Sequence, residues 1–131
     1  MDSRVLEPKY EAIARQLIRR RKKLRNIRNS DVRIAYLASD HELKKNGKVV
    51  YGQCEKIAEK YKWIIPYDFT ITLFSPNIER LTDKQIEILI YHELLHVGIE
   101  FDGNETRYSV IPHDVEDFKA IIQRYGIDWG A

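Results

Sequence analysis

The hydrophobic positions of this chain follow two periods, one typical of helices and one typical of strands. Over residues 7–28 the apolar side chains recur at helical spacing, and the polar segment at residues 29–31 ends that pattern. Apolar and polar side chains alternate over residues 32–38 and again over residues 49–53, which predicts two strands. A polar stretch with a turn signal at Asn46-Gly47 separates the two strands, so they are candidates for a hairpin with a long connection.

The clearest patterns lie in the middle of the chain. Residues 68–74 alternate without interruption and predict a third strand. A helix is expected over residues 83–97, because apolar side chains recur there at helical spacing. Thr82 is a suitable N-cap and Gln85 follows three residues later, which predicts a capping box. Gly98 is the expected C-terminal stop of this helix.

The remaining segments complete an α+β order. Residues 55–64 fit either a short helix or an irregular strand extension, and residues 102–105 read as a loop. A short extended piece over residues 108–111 precedes a final helix over residues 114–125. We therefore predict an α+β domain with an N-terminal helix, a three-stranded, mostly antiparallel sheet, a central helix and a C-terminal helix.

Composition supports one globular domain. A chain of 131 residues can bury one hydrophobic core, so we expect a single domain over 1–131, with a basic helix in 1–30 and the core in 31–131. It contains no apolar run long enough to span a membrane and begins without the apolar region of a secretory signal. Cys54 is the single cysteine, so no internal disulfide can form. We expect a cytoplasmic protein.

The charge is unevenly distributed although the net charge is only +2. Ten Lys/Arg and three Asp/Glu in residues 1–30 give +7, whereas twelve and seventeen in residues 31–131 give −5. A basic helix of this kind can bind phosphate backbones. The alternative is a solvated helix face that forms ion pairs with the acidic remainder. The candidate nucleic-acid-binding residues are Arg19, Arg20, Arg21, Lys22 and Lys23.

The central helix carries the motif His92-Glu93-Leu94-Leu95-His96. Residues four apart lie on one helical face, so both imidazoles can reach one metal ion at about 2 Å. Glu93 can then reach a zinc-activated water without binding the metal itself, and can take the proton of that water as it attacks a carbonyl. The motif predicts one zinc ion per chain and a hydrolytic reaction.

A catalytic zinc site commonly has three protein ligands, so a third ligand is needed. His113 follows Pro112 at the start of the last predicted helix and is the preferred candidate. His41 lies in a polar loop and is expected to be solvated. Acidic residues at the start of the last helix are alternative third ligands: Asp114, Glu116 and Asp117.

Three further features have a chemical interpretation and a structural one. Cys54 could supply a thiolate ligand, although a buried thiol is the commoner case. Tyr108 could donate a hydrogen bond to a developing oxyanion, although packing is the commoner role. The strand that ends at Phe74 could bind an extended peptide if it forms a sheet edge.

The segments 91–97 and 112–118, together with residues 51–54 and 68–72, resemble the phage-type metallopeptidase family and, more widely, the SprT-like (Spartan-like) zinc peptidases. The resemblance covers most of the chain from about Val32. It implies a small zincin-like core in which His92, His96 and His113 are the zinc ligands and Glu93 is the general base. SprT-like proteases are linked to DNA-bound protein substrates, and several carry a CxxC zinc ribbon that this sequence lacks.

The leading hypothesis is a zinc-dependent metallopeptidase that acts on a protein or peptide substrate. An alternative is a catalytically weak, zinc-stabilised binding module that associates with nucleic acid through the basic N-terminal helix. A third hypothesis is a peptidase that cleaves only one dedicated partner, in which case general protease assays would show no activity.

Overall fold

A computed structural model of the protein describes residues 2–112. The predicted C-terminal helix, residues 114–125, lies outside this range. The helices are α1 (Pro8–Arg20), α2 (Arg25–Arg28), α3 (Ser75–Ile78) and α4 (Asp83–Leu94), with single 3₁₀ turns at Lys22–Leu24 and Glu59–Tyr61. The strands are β1 (Arg4–Leu6), β2 (Ile34–Ser39), β3 (Lys44–Lys45), β4 (Lys48–Val49), β5 (Gly52–Lys56), β6 (Phe69–Phe74), β7 (Val97–Asp102) and β8 (Glu105–Val110). The described part is thus a mixed α+β domain, as predicted.

The main sheet has four strands in the order β1-β2-β6-β5, rather than the three mostly antiparallel strands that the sequence predicted. β2 and β6 are parallel, with Ile34 opposite Phe69, whereas β1 and β5 run antiparallel to their neighbours. The predicted hairpin between residues 32–38 and 49–53 is wrong, because β6 lies between β2 and β5. β6 is therefore a central strand and not the peptide-binding edge, and its side chains are almost all buried.

Two small hairpins complete the strands. β3 and β4 pair across Asn46 and Gly47, whose φ angles of 52° and 76° are the left-handed values of a tight hairpin turn. The turn predicted at these two residues is confirmed. β7 and β8 pair from Val97 opposite Val110 to the turn at Gly103, which has a φ of 61°.

The predicted N-terminal helix over residues 7–28 is broken at Arg21, whose extended backbone (φ −92°, ψ 124°) separates α1 from the following 3₁₀ turn and α2. The guanidinium of Arg28 donates to the carbonyl oxygens of Ile18 (2.7 Å) and Arg19 (3.1 Å). Those carbonyls lie in the last turn of α1, where helical partners are missing. The break lets Leu24, 1% exposed, turn into the core.

α4 begins as predicted and ends earlier. Thr82 and Gln85 form the complete capping box that the sequence indicates. The helix ends at Leu94, so Gly98 is not its stop but a residue of β7. A Cβ atom at Gly98 would lie 2.5 Å from Ser109 Oγ and 2.8 Å from the Ser109 carbonyl oxygen. The close approach of β8 therefore explains this glycine better than a helix terminus does.

The hydrophobic core lies between the main sheet and the helices α1 and α4. From the N-terminal segment, Ala14 and Leu17 pack into the same core as the sheet residues Ile71 and Leu73. Leu94, at the end of α4, is fully buried. The N-terminal segment, which the sequence predicts to be a basic helix apart from the core, therefore also contributes side chains to the core. None of the helices within residues 2–112 is long and apolar enough to cross a membrane.

Candidate metal centre

The last turn of α4 brings the three motif side chains together. One potential ligand atom each from His92, Glu93 and His96 lies within 4.8 Å of the others. His92 and Glu93 are in the helix, and His96 follows its end, where the His96 amide donates to the Glu93 carbonyl oxygen at 3.1 Å. The imidazole centroids are 5.0 Å apart and the ring planes are nearly perpendicular. The turn after Leu94 thus keeps His96 beside His92.

The chain that follows β8 orients the imidazole of His96. Nδ1 of His96 lies 2.7 Å from the carbonyl oxygen of Ile111. A carbonyl oxygen can only accept, so Nδ1 carries the proton, and Nε2 is the ring nitrogen that can bind a metal ion. A main-chain hydrogen bond also joins Ile111 and His96, because the Ile111 amide donates to the His96 carbonyl oxygen at 2.7 Å. Metal-binding histidines commonly have such a second hydrogen bond.

Glu93 lies beneath the edge strand β5 and is 5% exposed. A Cβ atom built at Gly52 would lie 3.2 Å from Glu93 Oε2 and 3.3 Å from Glu93 Cγ. The missing side chain of Gly52 therefore makes room for the carboxyl group of Glu93. Burial raises the pKa of Glu93 to about 8, since the charged form is poorly solvated there. A nearby cation has the opposite effect and favours the carboxylate.

The chemistry of this donor set fits a divalent transition metal. Imidazole nitrogens suit zinc, copper, iron and nickel, and a carboxylate beside them can act as a base. A model of the family described as "Putative phage metallopeptidase" matches residues 3–131. The chain belongs to this family. No curated protein and no solved structure matches it significantly. The family description names a metallopeptidase, and the group His92, Glu93 and His96 is a candidate metal site.

The predicted third ligand, His113, lies outside the described residues. The acidic alternatives Asp114, Glu116 and Asp117 lie there too. His41 is exposed, as expected, and its amide donates to Ser39 Oγ. The choice of third ligand therefore stays a prediction.

Tyr108 is half-buried on β8 and packs edge-to-face against Phe69, with ring centroids 5.7 Å apart. Lys62 Nζ lies 4.8 Å from the centroid of the same ring. Phe69 is the first residue of β6. Leu73, which pairs with Gly52 beside Glu93, lies four residues further along the same strand, about 13 Å from Phe69. These contacts agree with a packing role for Tyr108. They do not support a hydrogen bond from Tyr108 to an oxyanion, which stays a prediction.

Cys54 is half-buried on β5, opposite Ile71, and packs against the core. Burial, and secondarily the charge of Glu93, raises the pKa of its thiol to about 12. The group of potential metal ligands found within residues 2–112 does not include it. These features agree with a structural thiol.

The predicted nucleic-acid-binding residues occupy two environments. Arg19 and Arg20 are exposed in the last turn of α1, and Lys22 and Lys23 are exposed in the 3₁₀ turn. Arg21 is partly buried, with its guanidinium carbon 5.7 Å from the centroid of the Tyr91 ring. Arg21 thus packs against the residue that precedes His92.

Sequence reasoning missed two residues that shape the site. An isolated glycine in a strand pattern can signal the close approach of another group, so the sequence does carry a signal for the role of Gly52. Ile111 acts through its main-chain carbonyl and amide groups, which every residue type except proline carries. Its contribution has no signature in the sequence.

Proposed function

We propose that this chain is a zinc-dependent metallopeptidase of the HExxH type, which hydrolyses peptide bonds with Glu93 as the general base. The observation that carries the proposal is the convergence of His92, Glu93 and His96 within 4.8 Å at the buried end of α4. Membership of a metallopeptidase family supports the same chemistry. Two imidazoles four residues apart, with a glutamate after the first, match the mechanism of zinc peptidases.

His92, His96 and His113 would hold the zinc ion. Ile111 supports the assignment of His113, because its hydrogen bonds to both the side chain and the main chain of His96 bring the chain to the site just two residues before His113. When bound, zinc polarises a carbonyl group and lowers the pKa of a water molecule to about 7. Three imidazoles suit zinc among the divalent metals.

Glu93 moves the proton in this mechanism. One carboxylate oxygen of Glu93 takes a proton from the attacking water, and the same group delivers it to the nitrogen of the departing amine. The side chain is 5% exposed, so bulk water is largely excluded from it. Gly52 leaves the space that this carboxylate occupies. A positioned base of this kind contributes about 10²- to 10⁴-fold to the rate.

The outer edge of β5 is the part of the sheet best placed to bind the substrate. β5 pairs with β6 along one edge, and no other strand within residues 2–112 pairs with its second edge. Gly52 lies on this strand, directly against Glu93. An extended protein or peptide segment would pair with the free edge through main-chain hydrogen bonds. We also propose that the domain is zincin-like and related to the SprT-like peptidases, as the resemblance of its sequence implies.

The metal content of the purified protein tests the site. Wild-type protein is expected to carry about one zinc ion per chain in elemental analysis, and His96→Ala is expected to lose most of it, because removing one imidazole weakens the site. His41→Ala is the matched control, since His41 is exposed and lies outside the motif. Equal zinc in wild-type protein and His96→Ala, or no zinc in either, would contradict the proposed site.

A zinc-stabilised binding module with weak turnover is the second candidate. The exposed basic residues around the break after α1 favour it, because a surface of this charge suits a polyanionic partner. This candidate also predicts one zinc ion per chain, so metal content does not distinguish the two. Hydrolysis that depends on Glu93 does, because the binding module requires none.

A further inference from the structure

Five basic side chains surround the break between α1 and α2. We call this surface the basic bend; it consists of Arg19, Arg20, Lys22, Lys23 and Arg25, all exposed. None of the ion pairs within residues 2–112 involves any of them. The pairing with acidic residues that would explain such a face as a solvated surface is therefore not found in this part of the chain.

The bend is concave. Lys22, Lys23, Arg25 and Asn26 line a depression of about 260 Å³, because the chain turns at Arg21 and again at the start of α2. The residues that line it carry two ammonium groups, a guanidinium group and an amide group. Such donors bind phosphate oxygens, and a guanidinium can do so with two parallel hydrogen bonds.

The backbone of the bend is fixed rather than loose. Leu24 and Ile27 are buried beneath it, and Arg28 joins α2 to the last turn of α1 through the Ile18 and Arg19 carbonyl oxygens. Arg21 packs on the Tyr91 ring of α4. The basic groups therefore branch from a rigid support, which lowers the entropic cost of binding a regularly charged partner.

The composition of the surface distinguishes between polyanions. A helix that binds a membrane surface inserts large apolar side chains beside its basic ones. Among residues 7–28, however, no large hydrophobic side chain is exposed; the exposed ones lie elsewhere, as at Leu6, Trp63 and Phe101. A charged surface without apolar side chains is typical of contacts with a phosphodiester backbone.

We propose that the basic bend is a docking surface for the phosphate backbone of a nucleic acid. Binding is independent of base sequence, because the surface offers charge and hydrogen-bond donors but no element shaped to enter a groove. The inference does not rest on the proposed peptidase activity. It places a polyanion at the C-terminal end of α1, the helix that packs next to the motif helix α4.

Fluorescence anisotropy with the full chain tests this proposal. The probes are a labelled 20-base-pair DNA duplex of mixed sequence and the RNA duplex of the same sequence, each titrated over a range of salt concentrations. Five phosphate contacts give a slope of log K against log salt of at most about −4.5 for duplex DNA. We expect a slope of about −3 to −4.5 and similar binding to unrelated sequences. Using the Glu93→Gln protein removes any effect of hydrolysis and keeps this test separate from that of the peptidase.

Charge-neutralising variants locate the surface. The combined change Lys22→Gln, Lys23→Gln and Arg25→Gln is expected to weaken binding at least about tenfold at 0.1 M salt and to reduce the slope by about 2 to 3. The control removes three exposed lysines from the hairpin of β3 and β4, as Lys44→Gln, Lys45→Gln and Lys48→Gln, and is expected to change the affinity less than about twofold. If the first variant unfolds, the pair Arg19→Gln and Arg20→Gln tests the same surface.

Several results would overturn the proposal. One is equal weakening by the bend and hairpin variants, since binding would then follow net charge alone. Another is the absence of binding to both duplexes. Equal or tighter binding to vesicles rich in phosphatidylglycerol would indicate a membrane surface instead. Competition by polyglutamate as strong as by DNA at equal charge would indicate an acidic protein partner.

Discussion

At the scale of single residues, the geometry of the candidate centre depends on a side chain that is absent. Gly52 lies on β5 directly against Glu93, and a Cβ atom there would lie 3.0 Å from Leu73 Cδ2 and 3.2 Å from Glu93 Oε2. Those distances are shorter than ordinary van der Waals contacts, so either the strand or the carboxyl group would have to move. Glu93 is positioned by its place in helix α4, whereas the carbonyl oxygen of Ile111 orients the imidazole of His96.

Gly52→Ala is therefore expected to displace the carboxylate and leave the ligands in place. We predict that zinc content is unchanged and that kcat falls about tenfold or more, because small displacements of a catalytic group are costly. Overpacking is expected to lower the free energy of unfolding by about 1–3 kcal/mol. Gln53→Ala on the same strand is the control. A fall in zinc content, or an unchanged kcat, would show that Gly52 does not position Glu93.

The thiol of Cys54 offers a test of burial through pH. Its pKa is raised to about 12, above the ordinary value of 9.0, because the thiolate is poorly solvated and lies in the field of Glu93. At pH 8 the native protein should therefore hold about a thousandfold less thiolate than an ordinary thiol. Alkylation by iodoacetamide, followed by mass spectrometry, should be slow and should accelerate about tenfold per pH unit above pH 9 in the native protein. A rate that levels off near pH 9, as in the denatured control, would contradict this burial.

At the scale of elements, the sequence predicts what local patterns determine and misses what tertiary contacts determine. The capping box at Thr82 and the turn at Asn46-Gly47 follow from a few adjacent residues, and both are present. The break at Arg21 and the early end of α4 at Leu94 depend on long-range contacts. Arg28 bonds back to α1, and β8 pairs with the residues after the motif. β1 has three residues, too few for a readable period.

The motif histidines are predicted from spacing alone because the turn after Leu94 continues the helical path far enough to keep His96 near His92. The parallel pairing of β2 and β6 is not predictable in this way. It joins Ile34 to Phe69 across a long connection, and no local pattern specifies which strands become neighbours.

The capping box should stabilise the helix that carries the ligands. Thr82→Ala removes the side-chain oxygen that accepts from the Gln85 amide, and should lower the free energy of unfolding by about 0.5–2 kcal/mol. Thermal or urea unfolding measures this change. Thr106→Ala on β8 is the control, because Thr106 is exposed and caps no helix. Equal effects of the two substitutions would contradict a specific role of the cap.

At the scale of the whole molecule, two surfaces of different chemistry share one core. α1 and α4 pack together against the main sheet, so the basic bend and the motif helix are joined by buried contacts such as Leu17 with the core and Arg21 with Tyr91. Membership of a metallopeptidase family covers residues 3–131, which includes both surfaces. A polyanion bound at the bend would thus lie on the same rigid body as the proposed peptidase site.

The substitution Glu93→Gln tests the central claim most directly. The amide keeps the size of the side chain and cannot take the proton, so zinc content should remain about one per chain while hydrolysis of a random-sequence peptide pool, followed by mass spectrometry, falls at least about a hundredfold. Glu100→Gln, an exposed change on β7, should cleave like the wild-type protein. A zinc-loaded wild-type protein that leaves every peptide intact would restrict the account to the binding module or to a peptidase with one dedicated partner. Cleavage at the wild-type rate by the Glu93→Gln protein would contradict the proposal that this chain is a peptidase using Glu93 as its base.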